Sequence, residues 1–319
     1  MTKDQLKGGS LSGTFLCSDG PTVFIRKEAS LVTNREFGYQ RWYSQLKKLQ
    51  RYEILFPNLF PKVLTYGVKE DQAYFDIEYI HNTIPLHEFL MKTTDYELID
   101  QTLANLLEVI AQIHTSYIIP STTNPIELYV REEMENRINT CLVNSKFKEF
   151  LKWKYIRFNG VKIPQFSIEK FLKEAKFQYK DPTETLSHGK LTLENILIQP
   201  KTGKLILIDP YEENIIDSAI ADYSQILQSS NSFYELYNSS QLILYDNCIE
   251  IKIPRSKGLE YFNGKFLEYL YENGHNLKMI SLFEMSQFLR MMPFKMEIDQ
   301  DRMILFYALA SYLFHKYEN

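Results

Sequence analysis

Two short apolar runs, Asn195–Gln199 and Lys204–Ile208, flank the turn Pro200-Lys201-Thr202-Gly203. Of everything in the chain, this pattern constrains the fold most. β-Favouring runs joined by a Pro/Gly turn read as a hairpin. Antiparallel pairing returns the chain to its starting point, so Asn195 at the entry and Asp209 just past the exit become neighbours. An amide oxygen beside a carboxylate is a pair of hard donors, the kind that Mg²⁺ prefers together with phosphate.

The segments before the hairpin divide in character. Residues 1–28 read as strands and turns: the polar turn Lys7–Phe15 with Gly8, Gly9 and Gly13, then Phe15–Cys17, a turn at Asp19-Gly20-Pro21, and Thr22–Lys27. Asn34–Leu49 reads as a helix, with Phe37, Trp42, Leu46 and Leu49 at loosely helical spacing. Val63–Val68 and Ala73–Tyr79 read as two more strands about the turn Lys69-Glu70-Asp71. The pattern predicts a five-stranded sheet with one helix after the third strand. Beyond Ile80 the chain turns helical. Leu98–Tyr117 is amphipathic, with Leu103, Leu106, Leu107, Ile110 and Ile113 on one face. Residues 120–180 read as irregular helix, and 218–319 as mainly helix with short strands at Gln241–Tyr245 and Cys248–Ile253. The expected class is therefore α+β with two lobes: a small β-rich N-lobe over 1–80 and a larger helical C-lobe over 81–319.

Composition excludes several classes. With 45% apolar and 24% charged residues among 319, the chain can bury a core and is not disordered. A net charge of −4, from 36 basic and 40 acidic residues, argues against a general nucleic-acid binder. The longest apolar run, Met303–Phe314, is too short for a bilayer, and no apolar stretch follows the N-terminal residues, so neither membrane insertion nor a secretory leader is expected. Cys17, Cys141 and Cys248 are odd in number and lack metal-ligand spacing, which fits a reducing, cytoplasmic setting.

The stretch Ser187-His188-Gly189-Lys190-Leu191-Thr192-Leu193-Glu194-Asn195-Ile196-Leu197, followed by Leu207-Ile208-Asp209, resembles the aminoglycoside phosphotransferase and choline kinase-like family, which has a protein-kinase-like fold. That family has His-Gly-Asp, four residues, Asn, an apolar run, then a hairpin to Ile-Asp. His188, Gly189, Asn195, Ile196, Leu197, Ile208 and Asp209 match in order and spacing. The resemblance implies an ATP- and Mg²⁺-dependent phosphotransferase, with ATP between the lobes and Asn195 and Asp209 on the metal. It also implies that Gly8, Gly9 and Gly13 form the loop over the phosphates, that Lys27 contacts the α- and β-phosphates, and that Glu36 orients Lys27. Ile25, two residues before Lys27 on the same strand face, would lie under the adenine. Asp76–Ile80, with Glu78 and Ile80, resembles the hinge that holds the adenine edge. Ala111–His114 resembles a helix end with a buried histidine. Asp217–Leu227 resembles the helix that follows the metal aspartate in relatives linked to sugar and capsule biosynthesis, so a sugar-like hydroxyl is the first acceptor expected, with Arg137, Tyr223 and Arg290 as candidates to bind it.

The pattern breaks at one position. Lys190 stands where the family has the aspartate that accepts or orients the acceptor's proton. A protonated lysine cannot act as that base, and general-base catalysis is worth roughly 10²–10⁴-fold. Positioning and charge stabilisation supply most of phosphoryl transfer, so Lys190 should impair turnover while leaving nucleotide binding intact. The alternative is a pseudokinase acting as a nucleotide-responsive binding module; adenylyl transfer is a third reading. Singly, each residue has a plainer role: Gly8–Gly13 a turn, Lys27 a strand-end lysine, Glu36 a solvated helix residue, Asn195 a cap, Asp209 a strand end, and His114 and His188 structural histidines. The basic cluster Lys146–Lys154 reads as a solvated helix face, and the aromatics of Phe147–Phe158 and Phe166–Tyr179 as core. Their order along the chain is what favours the functional reading.

Overall fold

The structure is a computed structural model that describes residues 2–6, 13–32, 35–120, 124–180, 183–211 and 214–319, apart from the side chains of 35–37 and 119. It is a mixed α+β architecture, β-rich towards the N-terminus and predominantly helical towards the C-terminus. Backbone proximity groups the chain into two compact units: Met1–Phe89 with Gln101–Ile113 and His188–Asn214, and Leu90–Asp100 with His114–Ser187 and Ile215–Asn319.

The first unit is built on five antiparallel strands, β1 (Thr2–Gln5), β2 (Gly13–Asp19), β3 (Thr22–Ser30), β4 (Val63–Lys69) and β5 (Gln72–Glu78), in the order β1-β2-β3-β5-β4. Helix α1 (Arg35–Leu55) follows β3 as the pattern predicts. It runs past Leu49 because Tyr52 and Phe56 continue the buried stripe of Trp42, Leu46 and Leu49. Pro57 and the left-handed Asn58 (φ 68°) then end it. The stripe packs on the sheet, with the Trp42 ring 5.9 Å from that of Phe75. Register places Lys27 opposite Phe75 and Arg26 opposite Asp76. The hairpin forms as expected from β6 (Ile196–Ile198) and β7 (Leu205–Leu207), and β6 also pairs with the two-residue strand Ile84–Pro85. Helix α2 (Tyr96–Thr115) buries Leu103, Leu106, Ile110 and Ile113.

The second unit is mostly helix: α3 (Ala219–Ser230), α4 (Lys257–Glu272), α5 (Leu277–Ile298) and α6 (Gln300–Glu318). The apolar run from Met303 is the buried face of α6, packed with Phe283 and Phe288 of α5 in the core of this unit. Among the described residues, no helix is long and apolar enough to cross a membrane. One region departs from the helical expectation for 120–180. Tyr155–Phe158 and Val161–Pro164 form a hairpin about Asn159-Gly160, both with positive φ (46° and 81°). Asn-Gly is the favoured pair for such a turn, and the flanking residues alternate Ile156, Phe158 and Ile163 into the core. This hairpin joins the one formed by Leu242–Tyr245 and Cys248–Ile251 in a four-stranded sheet.

Candidate functional site

The candidate site lies within the first unit, where β3, α1 and the loop and hairpin over 188–211 meet. The loop comes first. His188 is fully buried, and its Nδ1 accepts a hydrogen bond from the Lys190 backbone N–H (3.2 Å). That contact assigns the proton to Nε2, which donates to the Ile208 carbonyl (2.9 Å). The imidazole also stacks on Phe60 at 6.1 Å. His188 is therefore the brace that the sequence reading expects.

Gly189 adopts φ +80°, and a Cβ there would run into the Tyr211 carbonyl and the Asn214 amide, so both the conformation and the space demand glycine. The Tyr211 N–H donates to the His188 carbonyl (2.9 Å), tying the two segments together. The hairpin likewise returns Ile208 to Asn195 through a backbone hydrogen bond of 2.9 Å.

Asp209 follows in the left-handed region (φ 60°). Asp tolerates this conformation better than most residues, though at some cost in strain. Its carboxylate is the centre of the site. Lys27 Nζ and Gln45 Nε2 both donate to Oδ1, and Lys190 Nζ donates to Oδ2. Lys27 also reaches Gln45 Oε1 at 3.3 Å. The side chains of Lys27, Asp209 and Lys190 are 11%, 20% and 33% exposed, so the cluster is sheltered but reachable.

Two ammonium groups thus share one carboxylate. Burial works against the charge on Asp209, but the Lys190 and Lys27 ammonium groups outweigh it and hold the carboxyl well below the ordinary carboxylate range. Burial pushes the Lys27 pKa down; Asp209 opposes that shift, while the like charge of Lys190 adds to it. Lys48, one turn beyond Gln45 on α1, is 1% exposed and donates to the Tyr211 carbonyl.

The expected site residues do not all come together. Lys27, Lys190 and Asp209 come together on one carboxylate, with Asn195 close behind. The Asn195 amide nitrogen donates to the Lys190 carbonyl (2.8 Å) and to Thr192 Oγ1 (3.1 Å), so this side chain fastens the loop. Ile25 is half-buried and shares the Lys27 face of β3, opposite Ile77. Gly13 opens β2 opposite Glu28. Gly8 and Gly9 lie outside the described residues, as does the Glu36 side chain.

The expected hinge segment makes internal contacts. Asp76 is buried in a two-pronged ion pair with Arg26 (2.7 and 2.8 Å). The N–H of the exposed Glu78 donates to the Lys62 carbonyl, and the Ile80 carbonyl accepts from Thr83 Oγ1. In the second unit, Arg137 and Arg290 converge on the buried Glu133, at 3.3 and 2.9 Å. Tyr223 sits elsewhere in that unit, among His114, Phe266 and His275. His114 is buried against Asp222 at 3.0 Å.

Gln45 and Lys48 were not anticipated from the sequence. The signal was there: two polar residues at i and i+3 interrupt the Trp42, Leu46, Leu49 and Tyr52 stripe, and a polar group on a buried helix face needs a partner.

The residues do not fit a Mg²⁺ ion in this arrangement. Mg²⁺ requires near-octahedral oxygen ligands at about 2.0–2.1 Å, yet donors cover both oxygens of Asp209. A divalent ion about 4 Å from the Lys190 ammonium would be repelled by roughly 8 kcal/mol at an effective dielectric near 20. Among the described residues, no three or more His, Cys, Asp or Glu side chains are grouped to hold a metal ion. In comparisons with known proteins, no family model matches the chain and no curated protein shows significant sequence similarity to it.

Proposed function

We propose that this chain is a kinase-like protein that binds a nucleoside triphosphate at the Lys27–Asp209–Lys190 cluster. Its transfer of a phosphoryl group to a hydroxyl of a small polar acceptor, sugar-like as the first candidate, is strongly impaired. The observation that carries the reading is the convergence of Lys27, Lys190 and Gln45 on the Asp209 carboxylate. Of these, Lys27, Lys190 and Asp209 occupy the positions that resemble the phosphate lysine, the catalytic-loop base and the metal aspartate of the aminoglycoside phosphotransferase and choline kinase-like family.

The cluster carries more positive than negative charge and is partly sheltered, conditions that favour a polyanion over water. The base position holds an ammonium instead of a proton acceptor, so the attacking hydroxyl loses the group that in this reading would orient it and take its proton. The experiment is a pair of assays on the intact protein. Calorimetric titration with ATP should show binding by the wild type. Lys190→Asp should raise phosphoryl transfer to a panel of sugars and amino alcohols by about 10²-fold or more. Absence of ATP binding by both proteins would overturn the reading.

A second reading follows from the same lysine. With Lys190 on Asp209, the chain would act as a nucleotide-responsive binding module, retaining a protein partner in pull-downs that change on addition of ATP.

A further inference from the structure

The misfit with a divalent metal has a positive counterpart in the geometry. A kinase-like site needs cationic charge beside the phosphate chain, ordinarily supplied by metal ions that bridge phosphate oxygens to protein carboxylates. Here Lys190 Nζ donates to Asp209 Oδ2, so an ammonium already stands on the carboxylate that would hold such an ion. Oδ1 accepts from Lys27 and Gln45. Asn195 turns its amide nitrogen to the Lys190 carbonyl (2.8 Å) and to Thr192 Oγ1 (3.1 Å), which fixes the backbone that carries Lys190. The loop has a second fastening: the Lys190 N–H donates to His188 Nδ1, and His188 is itself anchored on the Ile208 carbonyl. The Lys190 ammonium is thus presented from a braced loop. Its side chain is one-third exposed, and an ammonium has three donors. It can keep Asp209 on one N–H and offer another to a phosphate oxygen.

We propose that Lys190 is the built-in cation of this site: it replaces the divalent metal, so that the site takes metal-free nucleoside triphosphate. The inference rests on the nucleotide-binding reading above and deepens it. Asp209 becomes the anchor that positions two ammonium groups, Lys27 and Lys190, on the phosphate chain. Asn195 becomes a positioning residue for the loop.

The test is calorimetric titration of ATP into the intact protein, once in excess EDTA and once in excess Mg²⁺. For the wild type, affinity in EDTA should equal or exceed affinity in Mg²⁺, because magnesium competes with the protein for the triphosphate. Lys190→Asp removes the ammonium and restores a metal-type carboxylate, so its ATP binding should weaken about tenfold or more when Mg²⁺ is replaced by EDTA. Lys190→Met should lose about tenfold in EDTA and gain nothing from Mg²⁺. Melting curves of the three proteins without ligand check that each is folded. Wild-type binding that requires Mg²⁺ would overturn this inference while leaving the nucleotide-binding reading intact. Absence of binding in both media would overturn the two together.

Discussion

Glu284 on α5 allows a quantitative test of the packing in the second unit. Its side chain is buried in the helical core, where Asn231 Nδ2 (2.9 Å) and Ser232 Oγ donate to Oε1. Burial raises its pKa from 4.5 to about 7, against the smaller opposing effects of those two donors and of Lys316. The folded protein therefore holds a proton that the unfolded chain releases between about pH 4.5 and 7, and stability falls as pH rises through that window. At about 1.4 kcal/mol per pH unit the loss comes to about 3 kcal/mol. Glu284→Gln keeps an acceptor for Asn231 and Ser232 but carries no titrating proton. The stability of this variant relative to wild type should rise by about 3 kcal/mol between pH 4.5 and 7 and level off above.

The chain has two tryptophans, Trp42 in the first unit and Trp153 in the second. Urea unfolding followed by fluorescence in a Trp42→Phe background therefore reports on the second unit. Equal pH slopes for the two proteins would mean instead that Glu284 is as solvated in the folded protein as in the unfolded chain.

Three further outcomes follow from the geometry. Gly189→Ala, forced against the Tyr211 carbonyl at φ +80°, should destabilise the first unit by about 1–3 kcal/mol, read as a lower urea midpoint through Trp42 in a Trp153→Phe background; an unchanged midpoint would contradict it. Arg26→Met strands the buried Asp76 carboxylate and should cost about 3–5 kcal/mol, whereas replacing both partners together with apolar residues should recover much of the loss. Asn159→Ala removes the side chain that both donates to the Ile251 carbonyl (3.1 Å) and accepts from its N–H (2.9 Å). It should cost about 1–3 kcal/mol, with faster hydrogen exchange across Tyr155–Pro164 as the reading.

How far the fold was legible depended on whether each signal was local. The five strands and the helix after β3 followed from alternation, turn residues and spacing, and the hairpin over 195–208 from its Pro/Gly turn. The hairpin at Asn159-Gly160 was missed although its turn pair is a strong local signal, because Lys- and Phe-rich flanks hid the alternation. In the site, order along the chain brought out Lys27, Lys190, Asn195 and Asp209. What it could not convey is the partner of each. Lys190 sits on Asp209 because a chain reversal of 19 residues brings them together, and Asn195 faces its own loop instead of an ion. Gln45 and Lys48 take their meaning from contacts more than 160 residues away, beyond the reach of any helical periodicity. Arg26 and Asp76, an ordinary basic residue and a presumed hinge residue in the sequence, prove to be one cross-strand ion pair.

Affinity labelling with an acyl phosphate of ATP tests directly whether the triphosphate lies beside Lys27 and Lys190. Such a reagent passes its acyl group from the terminal phosphate to a lysine amine held beside it, forming an amide and releasing ATP. Peptide mass spectrometry then identifies the acylated lysines, with and without competing ATP. Lys27 and Lys190 should be labelled, and ATP should suppress that labelling. Label spread over surface lysines such as Lys152 and Lys265, with no protection by ATP at Lys27 or Lys190, would contradict it.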